Sequence, residues 1–368
     1  MSNKPGSRPY RVVQWGTGNT GVRALRFLLD DPSFELAGLY VSRRANHGRD
    51  AGELAGGSPV GVAATSDADA AVAIEADCVV YMAAEPGGSP ATEGTDGWRS
   101  VETICRLLAS GKNVVSTGIS GLINPRTFGE QVATRLSDAA RRGGTTFFGT
   151  GIEPGFMCDA LALSLTSVTR GVRSIRAQEM ISYATYDQPR YHVSRGGMWG
   201  APCAPAFAEG FAARILQGGM AGPVMLLADA LSIRLDDVTA RVELAAAPES
   251  FELPIGLIPE GSLAGYRFEI LGLVKGEPVV AVEHITRIHD RAAPHWPSLD
   301  PGGFRVLIEG TPSYRVEVVI DEPDANIGAC TGTAARAVNA VPVVCAAPPG
   351  VCSFLDLPVI SAGHPARR

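Results

Sequence analysis

The chain has 368 residues, of which 45% are hydrophobic and 19% are charged, and its formal net charge is −6. This length corresponds to about two domains, and the apolar fraction excludes both a small disulfide-stapled protein and a wholly disordered chain. A nucleic-acid-binding protein would carry a basic surface, so the acidic balance argues against that class.

The seven cysteines are odd in number and widely spaced, without a CxxC pair, and no HExxH segment occurs. We therefore expect free thiols and no metal site. No secretory signal opens the sequence, and the most apolar late stretch, residues 341–360, is interrupted by four prolines and Asp356. We expect a cytoplasmic protein that does not associate with a membrane.

The first half of the chain alternates predicted strands and helices. A strand at 10–15 runs into Gly16-Thr-Gly18-Asn-Thr-Gly21, and an apolar helical pattern from Val22 to Leu29 precedes a strand at 34–41. Further helices are predicted at 67–75, 98–110 and 125–142, and further strands at 78–83, 113–116 and 145–148. This order predicts an α/β fold with a Rossmann-type doubly wound parallel sheet. Residues 85–98 are rich in Gly, Pro, Ser and Thr and predict a ligand-binding loop.

The second half of the chain has longer and more closely spaced strands. They are predicted at 172–183, 232–245, 265–274, 279–288, 304–309 and 314–320, with helices at 158–168 and 204–216. We expect an inserted α+β domain with a mostly antiparallel sheet, followed by a helix at 326–341 that returns to the first domain. The predicted domains are therefore 1–150 plus 325–368 for the dinucleotide and 151–324 for substrate and dimerisation.

The three glycines after the first strand predict a dinucleotide site. Gly16 permits the tight turn, Gly18 leaves room for a pyrophosphate, and Gly21 allows the helix to pack closely on the strand. The N–H groups and dipole of the following helix attract the phosphates. The position of the motif, directly between a strand and a helix, makes it far more specific than the motif alone.

The end of the second strand indicates which dinucleotide is bound. It reads Tyr40-Val41-Ser42-Arg43-Arg44, with no carboxylate before Asp50 to bind the ribose hydroxyls of NAD. A hydroxyl and guanidinium groups suit a 2′-phosphate, although a solvated basic turn would have the same sequence. We predict that NADP(H) is preferred and that NAD(H) remains possible.

Four segments resemble a known family: residues 11–21, Gly111-Lys-Asn-Val-Val-Ser-Thr117, Gly149-Thr-Gly-Ile-Glu-Pro-Gly-Phe156 and residues 332–342. The chain resembles the 2,4-diaminopentanoate dehydrogenase and native amine dehydrogenase group, which is related to dihydrodipicolinate reductase. The resemblance implies the two-domain fold above, hydride transfer between a nicotinamide and an amine or imine carbon, and a homodimer. Ammonia is a co-substrate for some members.

Two departures from the relatives bear on the reaction. Dihydrodipicolinate reductases carry a His-His pair and a lysine in the second domain, and this chain has no His-His pair. Amine dehydrogenases carry a glutamate just after the strand that ends at Thr117, where this chain reads Gly118-Ile-Ser-Gly121. Amine chemistry in this chain would therefore need a carboxylate from another position to stabilise the ammonium or iminium charge.

Three residues are the candidates for catalysis. Glu153, at the crossover between the domains, is the leading replacement for the missing carboxylate, although a solvated or capping role is the alternative. Glu102 is a weaker candidate because pairing with Arg106 one helical turn later explains it. Tyr183 lies in a stretch that lines the substrate pocket in the family, and its hydroxyl could donate a proton to the substrate; core packing is the alternative.

The remaining site residues form two predicted sets. The cofactor set is Gly16, Thr17, Gly18, Asn19, Thr20, Gly21, Ser42, Arg43, Arg44, Ala83, Ala84, Ser116, Thr117, Gly118 and Asn339. The substrate set is Phe156, Tyr186, His192, Met198, Trp199 and Thr331, and Thr331 is expected to open the last helix as an anion site or a cap. His284, His289 and His295 are assigned to an edge strand and a loop.

These observations favour an NAD(P)H-dependent oxidoreductase that acts on a C–N bond, by reductive amination of a small hydrophobic ketone or aldehyde. Because the family carboxylate is missing, an NADPH-dependent carbonyl reductase is the first alternative. A non-catalytic dinucleotide-binding protein is the second.

Overall fold

A computed structural model of the chain describes residues 8–83, 89–187 and 198–363. Its contacts divide the chain into two compact units. Unit 1 contains Met1–Pro154 and Cys330–Arg368, and unit 2 contains Gly155–Ala329. Two predicted site residues, Ala84 and His192, lie outside the described residues.

Unit 1 contains a seven-stranded, wholly parallel sheet. Its strands are β1 (Tyr10–Trp15), β2 (Phe34–Tyr40), β3 (Ala64–Thr65), β4 (Cys78–Tyr81), β5 (Asn113–Ser116), β6 (Thr146–Gly149) and β15 (Gly350–Cys352). Their order is β15-β6-β5-β4-β1-β2-β3, which reverses direction beside β1. Doubly wound sheets bind ligands at the carboxyl ends of the strands at this reversal.

Helices cover both faces of this sheet because alternate residues of each buried strand point to opposite sides. Val12 packs in the layer with α1 (Asn19–Asp30) and α9 (Ala325–Cys345). Val13 packs in the opposite layer with α4 (Asp96–Ala109) and α5 (Glu130–Gly143). Two shorter helices, α2 (Ala51–Leu54) and α3 (Ala68–Ala73), complete the described helices of this unit. The predicted Rossmann-type fold is confirmed.

Unit 2 contains a six-stranded sheet in the order β14-β13-β7-β12-β11-β8. Its strands are β7 (Arg170–Met180), β8 (Asp237–Ala246), β11 (Leu263–Val274), β12 (Glu277–Arg287), β13 (Gly303–Thr311) and β14 (Tyr314–Val319), and β9 (Phe251–Leu253) pairs separately with β10 (Gly256–Ile258). The pair β7–β12 is parallel and the other pairs are antiparallel. The mostly antiparallel α+β domain is therefore confirmed as well.

An apolar core lies on one face of the six-stranded sheet. Ile175, Val282 and Ile270 contribute from the strands, and Ile215 and Val224 contribute from helices. These helices are α7 (Pro205–Gln217) and α8 (Gly222–Ala230), and α6 (Ala160–Leu165) precedes β7. The opposite face carries charged side chains around Glu283, which is completely buried.

Two predicted elements differ in the structure. The helix predicted at 125–142 is a 3₁₀ turn, Pro125–Phe128, followed by α5, because Gly129 has a φ of +88° and interrupts the helix. His284 is not on an edge strand: β12 lies between β7 and β11, and the side chain of His284 is only 6% exposed.

Within residues 8–83, 89–187 and 198–363, no single helix has the length and apolarity of a membrane span. The pair α7 and α8 reaches that length together but is bent by 53°.

Candidate functional site

The glycine turn between β1 and α1 is closely packed. Gly16 has a φ of +102°, and a Cβ at this position would lie 2.7 Å from the carbonyl oxygen of Met82. A Cβ on Gly21 would lie 2.3 Å from the carbonyl oxygen of Gly16. The buried amide of Gln14 donates to that same oxygen at 2.9 Å. Only glycine therefore fits at the first and third positions of the motif.

The second glycine faces open space. A Cβ on Gly18 would have no heavy atom within 4 Å. Gly18 is the N-cap of α1, and no side chain accepts a hydrogen bond there. The first N–H groups of this 12-residue helix therefore point into the space beside Gly18. The N–H groups at the uncapped start of the helix, together with the open space beside Gly18, fit a pyrophosphate group.

The end of β2 lies next to this turn, since the N–H of Gly16 donates to the carbonyl oxygen of Tyr40 at 2.9 Å. Ser42, Arg43 and Arg44 follow and are exposed. No described residue forms an ion pair with either arginine. The nearby carboxylate of Asp50 accepts hydrogen bonds from the N–H groups of Val60, Gly52 and Gly61 instead.

The pKa of Asp50 is lowered, first by the hydrogen bond from the N–H of Val60 and then, against the opposing effect of burial, by the other backbone N–H groups. Its carboxylate thus stays charged and holds the loop that follows α2. Asp50 is the first acidic residue after β2, and its carboxylate binds these backbone N–H groups of the fold.

Other predicted cofactor residues lie at the carboxyl ends of β4 and β5. The N–H of Thr117 donates to the carbonyl oxygen of Tyr81 at 3.0 Å, and the N–H of Gly118 donates to the hydroxyl of Ser116 at 3.3 Å. A Cβ on Gly118 would lie 3.0 Å from the Tyr81 ring and 3.1 Å from the carbonyl oxygen of Ala83. The start of the segment after Thr117, for which the family resemblance predicts a glutamate, is therefore closely packed in this chain. Asn339 is half-buried on α9.

Glu153 and Glu102 occupy different surroundings. Glu153 is half-buried in a turn of π-helix, Ile152–Phe156, which also contains Phe156 and follows β6. Glu102 forms an ion pair with Arg135 of α5 at 3.5 Å, whereas Arg106 pairs with Asp69. The expected pairing of Glu102 with Arg106 was wrong because the packing of α4 on α5 offers Glu102 a partner on the adjacent helix.

Thr331 does not open the last helix. α9 begins at Ala325, and the carboxylate of Asp324 accepts hydrogen bonds from the N–H groups of Asn326 and Ile327 at 2.9 and 3.1 Å. Aspartate is a strong N-cap, so the helix starts within one residue of the predicted 326–341 segment, and the N–H groups near Thr331 lie inside it. The hydroxyl of Thr331 accepts a hydrogen bond from Nε of Arg23 at 3.1 Å. Arg23 also donates to the carbonyl oxygen of Asn19 at the start of α1.

In unit 2 the structure brings Tyr183, Tyr186, Met198 and Trp199 to the same apolar core. Tyr183 and Tyr186 meet edge to face with ring centroids 4.9 Å apart. Trp199 is completely buried. The other three side chains are half-buried at the margin of this core.

Sequence reasoning did not identify the polar groups next to Tyr183. Its hydroxyl donates to Oε1 of Glu179 at 3.0 Å, and Nδ1 of His284 lies 3.2 Å from the same oxygen. The hydroxyl of Tyr266 lies 3.3 Å from Nε2 of His284. The residues come from three strands and a loop, so no local pattern connects them. The only signal was that Glu179 and His284 each follow another polar residue, Gln178 or Glu283, within a predicted strand, so that one residue of each pair must face the core.

Comparisons with known proteins identify the family. The model of the 2,4-diaminopentanoate dehydrogenase C-terminal domain matches residues 156–366. An amine dehydrogenase from Streptomyces virginiae is 33% identical over 366 residues, which are 95% of this chain and 96% of the relative. The 2,4-diaminopentanoate dehydrogenase of Acetoanaerobium sticklandii is 26% identical over 254 residues, 67% of each chain.

This chain belongs to the 2,4-diaminopentanoate dehydrogenase family. The solved structure of an amine dehydrogenase from Mycobacterium smegmatis has the same fold, with a TM-score of 0.77 at 20% identity over 96% of this chain and 97% of that one. As a member of the 2,4-diaminopentanoate dehydrogenase family, the chain is an oxidoreductase that uses a nicotinamide dinucleotide. The predicted family and enzyme class are confirmed.

Proposed function

We propose that this chain catalyses the NADPH-dependent reductive amination of a small hydrophobic ketone or aldehyde with ammonia, and the reverse oxidation of the amine. The observation that carries this proposal is the full-length similarity to an amine dehydrogenase, over 95% of the chain. The open, uncapped start of α1 beside Gly18 supports it, because it suits the pyrophosphate of the cofactor.

The preference for NADPH over NADH rests on the end of β2. Arg43 and Arg44 are exposed beside the glycine turn, and Asp50 is occupied by backbone N–H groups. Guanidinium groups bind phosphate oxygens through paired charge-assisted hydrogen bonds, so they favour the dinucleotide with a 2′-phosphate.

The bound dinucleotide supplies or accepts the hydride. The remaining roles belong to this chain's own side chains. Glu153 stabilises the positive charge on the reacting nitrogen. Tyr183, whose hydroxyl otherwise donates to Glu179, gives a proton to the oxygen that leaves as water. The half-buried Phe156, Tyr186 and Met198, with the buried Trp199, supply an apolar lining that favours a hydrophobic substrate over a diacid.

The test is NADPH consumption with a panel of small ketones and aldehydes, each with and without ammonium. Reductive amination requires ammonium for turnover and produces a primary amine. Turnover that does not depend on ammonium would instead identify a carbonyl reductase, the reading favoured by the absence of a carboxylate in Gly118–Gly121. Tight NADPH binding without turnover would contradict both.

We also propose that the chain is a homodimer, as the family resemblance implies. Sedimentation equilibrium should give twice the chain mass of 38.4 kDa. A mass equal to that of one chain across the working concentration range would refute this part of the proposal.

A further inference from the structure

A buried ionisable pair interrupts the apolar face of the six-stranded sheet. Glu179 of β7 and His284 of β12 are opposite each other in the parallel pair, and they are 3% and 5% exposed. The same row continues with Phe304 of β13 opposite Glu179 and Phe268 of β11 opposite His284. Two ionisable groups therefore lie between phenylalanines in a layer that otherwise forms the core of unit 2.

One assignment of donors and acceptors satisfies the contacts of this pair with a neutral imidazole. We assign the Tyr266 hydroxyl as donor to Nε2 of His284, at 3.3 Å. The proton on Nδ1 then points to Oε1 of Glu179, at 3.2 Å, and the Tyr183 hydroxyl donates to the same oxygen at 3.0 Å. With this assignment the imidazole is neutral, and Glu179 keeps its negative charge.

Aromatic rings surround the imidazole of this pair. The Phe268 and Tyr266 rings stack on His284 with centroids 5.1 and 5.4 Å away, and the Tyr183 ring meets it edge to face at 5.2 Å. Trp199 stacks on Tyr266 at 5.5 Å. The Glu179 carboxylate next to this cluster attracts an organic cation by charge, and the half-buried Tyr183 ring at the margin adds the attraction of its quadrupole.

The other buried acids have different tasks. Among the described residues the buried acidic side chains are Asp159, Glu179 and Glu283. Glu283 is bound by the guanidinium groups of Arg176 and Arg267, and Asp159 caps the start of α6. Glu179 is the member of this set that lies in the aromatic layer, next to the half-buried Tyr183 at its margin.

We propose that Glu179 binds the nitrogen of the amine substrate as an organic ammonium cation, and that Tyr183 and His284 position its carboxylate. This inference rests on the proposed function for the identity of the ligand class. Glu179 acts when the amine binds, whereas the proposed role of Glu153 belongs to turnover. The two carboxylates therefore affect different kinetic parameters: Glu179→Gln raises KM for the amine, and Glu153→Gln lowers kcat.

The test is calorimetric binding of cyclohexylammonium and of cyclohexanol, its neutral analogue of similar shape, to the full-length protein with and without NADP⁺. We expect the cation to bind the unaltered protein about tenfold more tightly, a difference of ~1.4 kcal/mol. In Glu179→Gln the two ligands should bind within about twofold of each other, because the charge and not the shape is removed. Glu309→Gln removes an exposed glutamate of the same sheet and should keep the preference.

Two results would overturn this assignment: an unaltered protein without a preference for the cation, or a preference that survives in Glu179→Gln. If Glu179→Gln does not fold, Tyr183→Phe carries the test, since it removes one donor to Oε1 and keeps the ring. It should weaken cyclohexylammonium binding about threefold and leave cyclohexanol binding unchanged, and equal affinities in the two proteins would refute the role. Cation binding needs no hydride transfer, so it separates a failure of this site from a failure of the proposed reaction.

Discussion

We propose that single side chains at the end of β2 decide which dinucleotide unit 1 prefers. Arg43 and Arg44 follow β2 and project from a surface where no described residue pairs with them. An exposed guanidinium forms few stabilising contacts within the fold, so its removal should change binding without changing stability.

We expect Arg43→Ala combined with Arg44→Ala to raise the Kd for NADPH at least tenfold, because the charge-assisted hydrogen bonds to the 2′-phosphate are lost. The Kd for NADH should change less than about twofold, since that molecule has no 2′-phosphate. Fluorescence titration of both nucleotides measures this, with Arg141→Ala on the exposed surface of α5 as the control. An equal loss for NADH and NADPH would contradict the assignment.

We also predict that a single residue, Glu153, affects the rate of turnover. Glu153→Gln keeps the size of the side chain and removes the charge, so kcat should fall about a hundredfold or more while the Kd for NADPH stays nearly constant. Steady-state kinetics and nucleotide titration measure the two quantities. Glu309→Gln is the matched control, because this exposed glutamate lies outside the proposed catalytic residues and should keep kcat. An unchanged kcat in Glu153→Gln would eliminate this role.

At the scale of single elements, the start of helix α1 gives a test of the glycine turn. The three glycines at and before its start differ in what surrounds them, so the same substitution should have different consequences. A Cβ fits freely at Gly18, whereas at Gly21 it would lie 2.3 Å from a backbone oxygen.

Gly18→Ala should therefore leave the thermal midpoint nearly unchanged and weaken dinucleotide binding at least tenfold, because the methyl group fills the space left for the pyrophosphate. Gly21→Ala should lower the thermal midpoint, since the helix must shift away from β1. Thermal denaturation and nucleotide titration of both variants separate the effects. Gly18→Ala with unaltered affinity would show that the phosphates bind elsewhere.

The charged face of the six-stranded sheet makes a second element-scale prediction. Burial lowers the pKa of Arg176, but hydrogen bonds and ion pairs with Glu269 and Glu283 outweigh it, so the pKa is raised and the group stays charged. Glu283 is also bound by Arg267 and by the amide of Gln178 at 2.6 Å. Its carboxylate is thus the shared acceptor of three side chains.

Glu283→Gln should lower the free energy of unfolding by about 3 kcal/mol, because two partly buried guanidinium groups lose their common counter-ion. Chemical denaturation measures the loss, and the exposed Glu309→Gln should change it by less than about 0.5 kcal/mol. Equal stabilities of the two variants would mean that Glu269 and Glu243 compensate for the missing charge.

On the scale of the whole molecule, a dinucleotide that binds only the folded chain stabilises it by mass action. NADPH at a hundred times its Kd should add ~2.7 kcal/mol to the unfolding free energy of the cooperative unit that contains the glycine turn. Calorimetry should show the shift in a transition that includes unit 1, larger with NADPH than with NADH at equal concentration. The absence of any shift with either nucleotide would contradict the cofactor assignment.

Local patterns predicted much of the fold and missed elements for identifiable reasons. The alternation along β1, α1 and β2 and the Gly16–Gly21 turn were readable because each depends on neighbouring residues. Helix α8 was missed because its own residues are apolar on nearly every side. Its sequence therefore lacks the alternation of apolar and polar residues that marks a helix with one buried face. The two- and three-residue strands β3, β9, β10 and β15 are too short to carry a pattern.

The order of residues alone therefore determined the dinucleotide turn, the Rossmann-type half, the change to an antiparallel sheet and the family. Tertiary structure alone decided that Arg135 binds Glu102 and that the Glu179 carboxylate contacts both His284 and Tyr183. Periodicity and turn chemistry act over a few residues and leave a trace in the sequence. The register between distant strands is set by packing of the whole sheet, so it exists only in the folded chain.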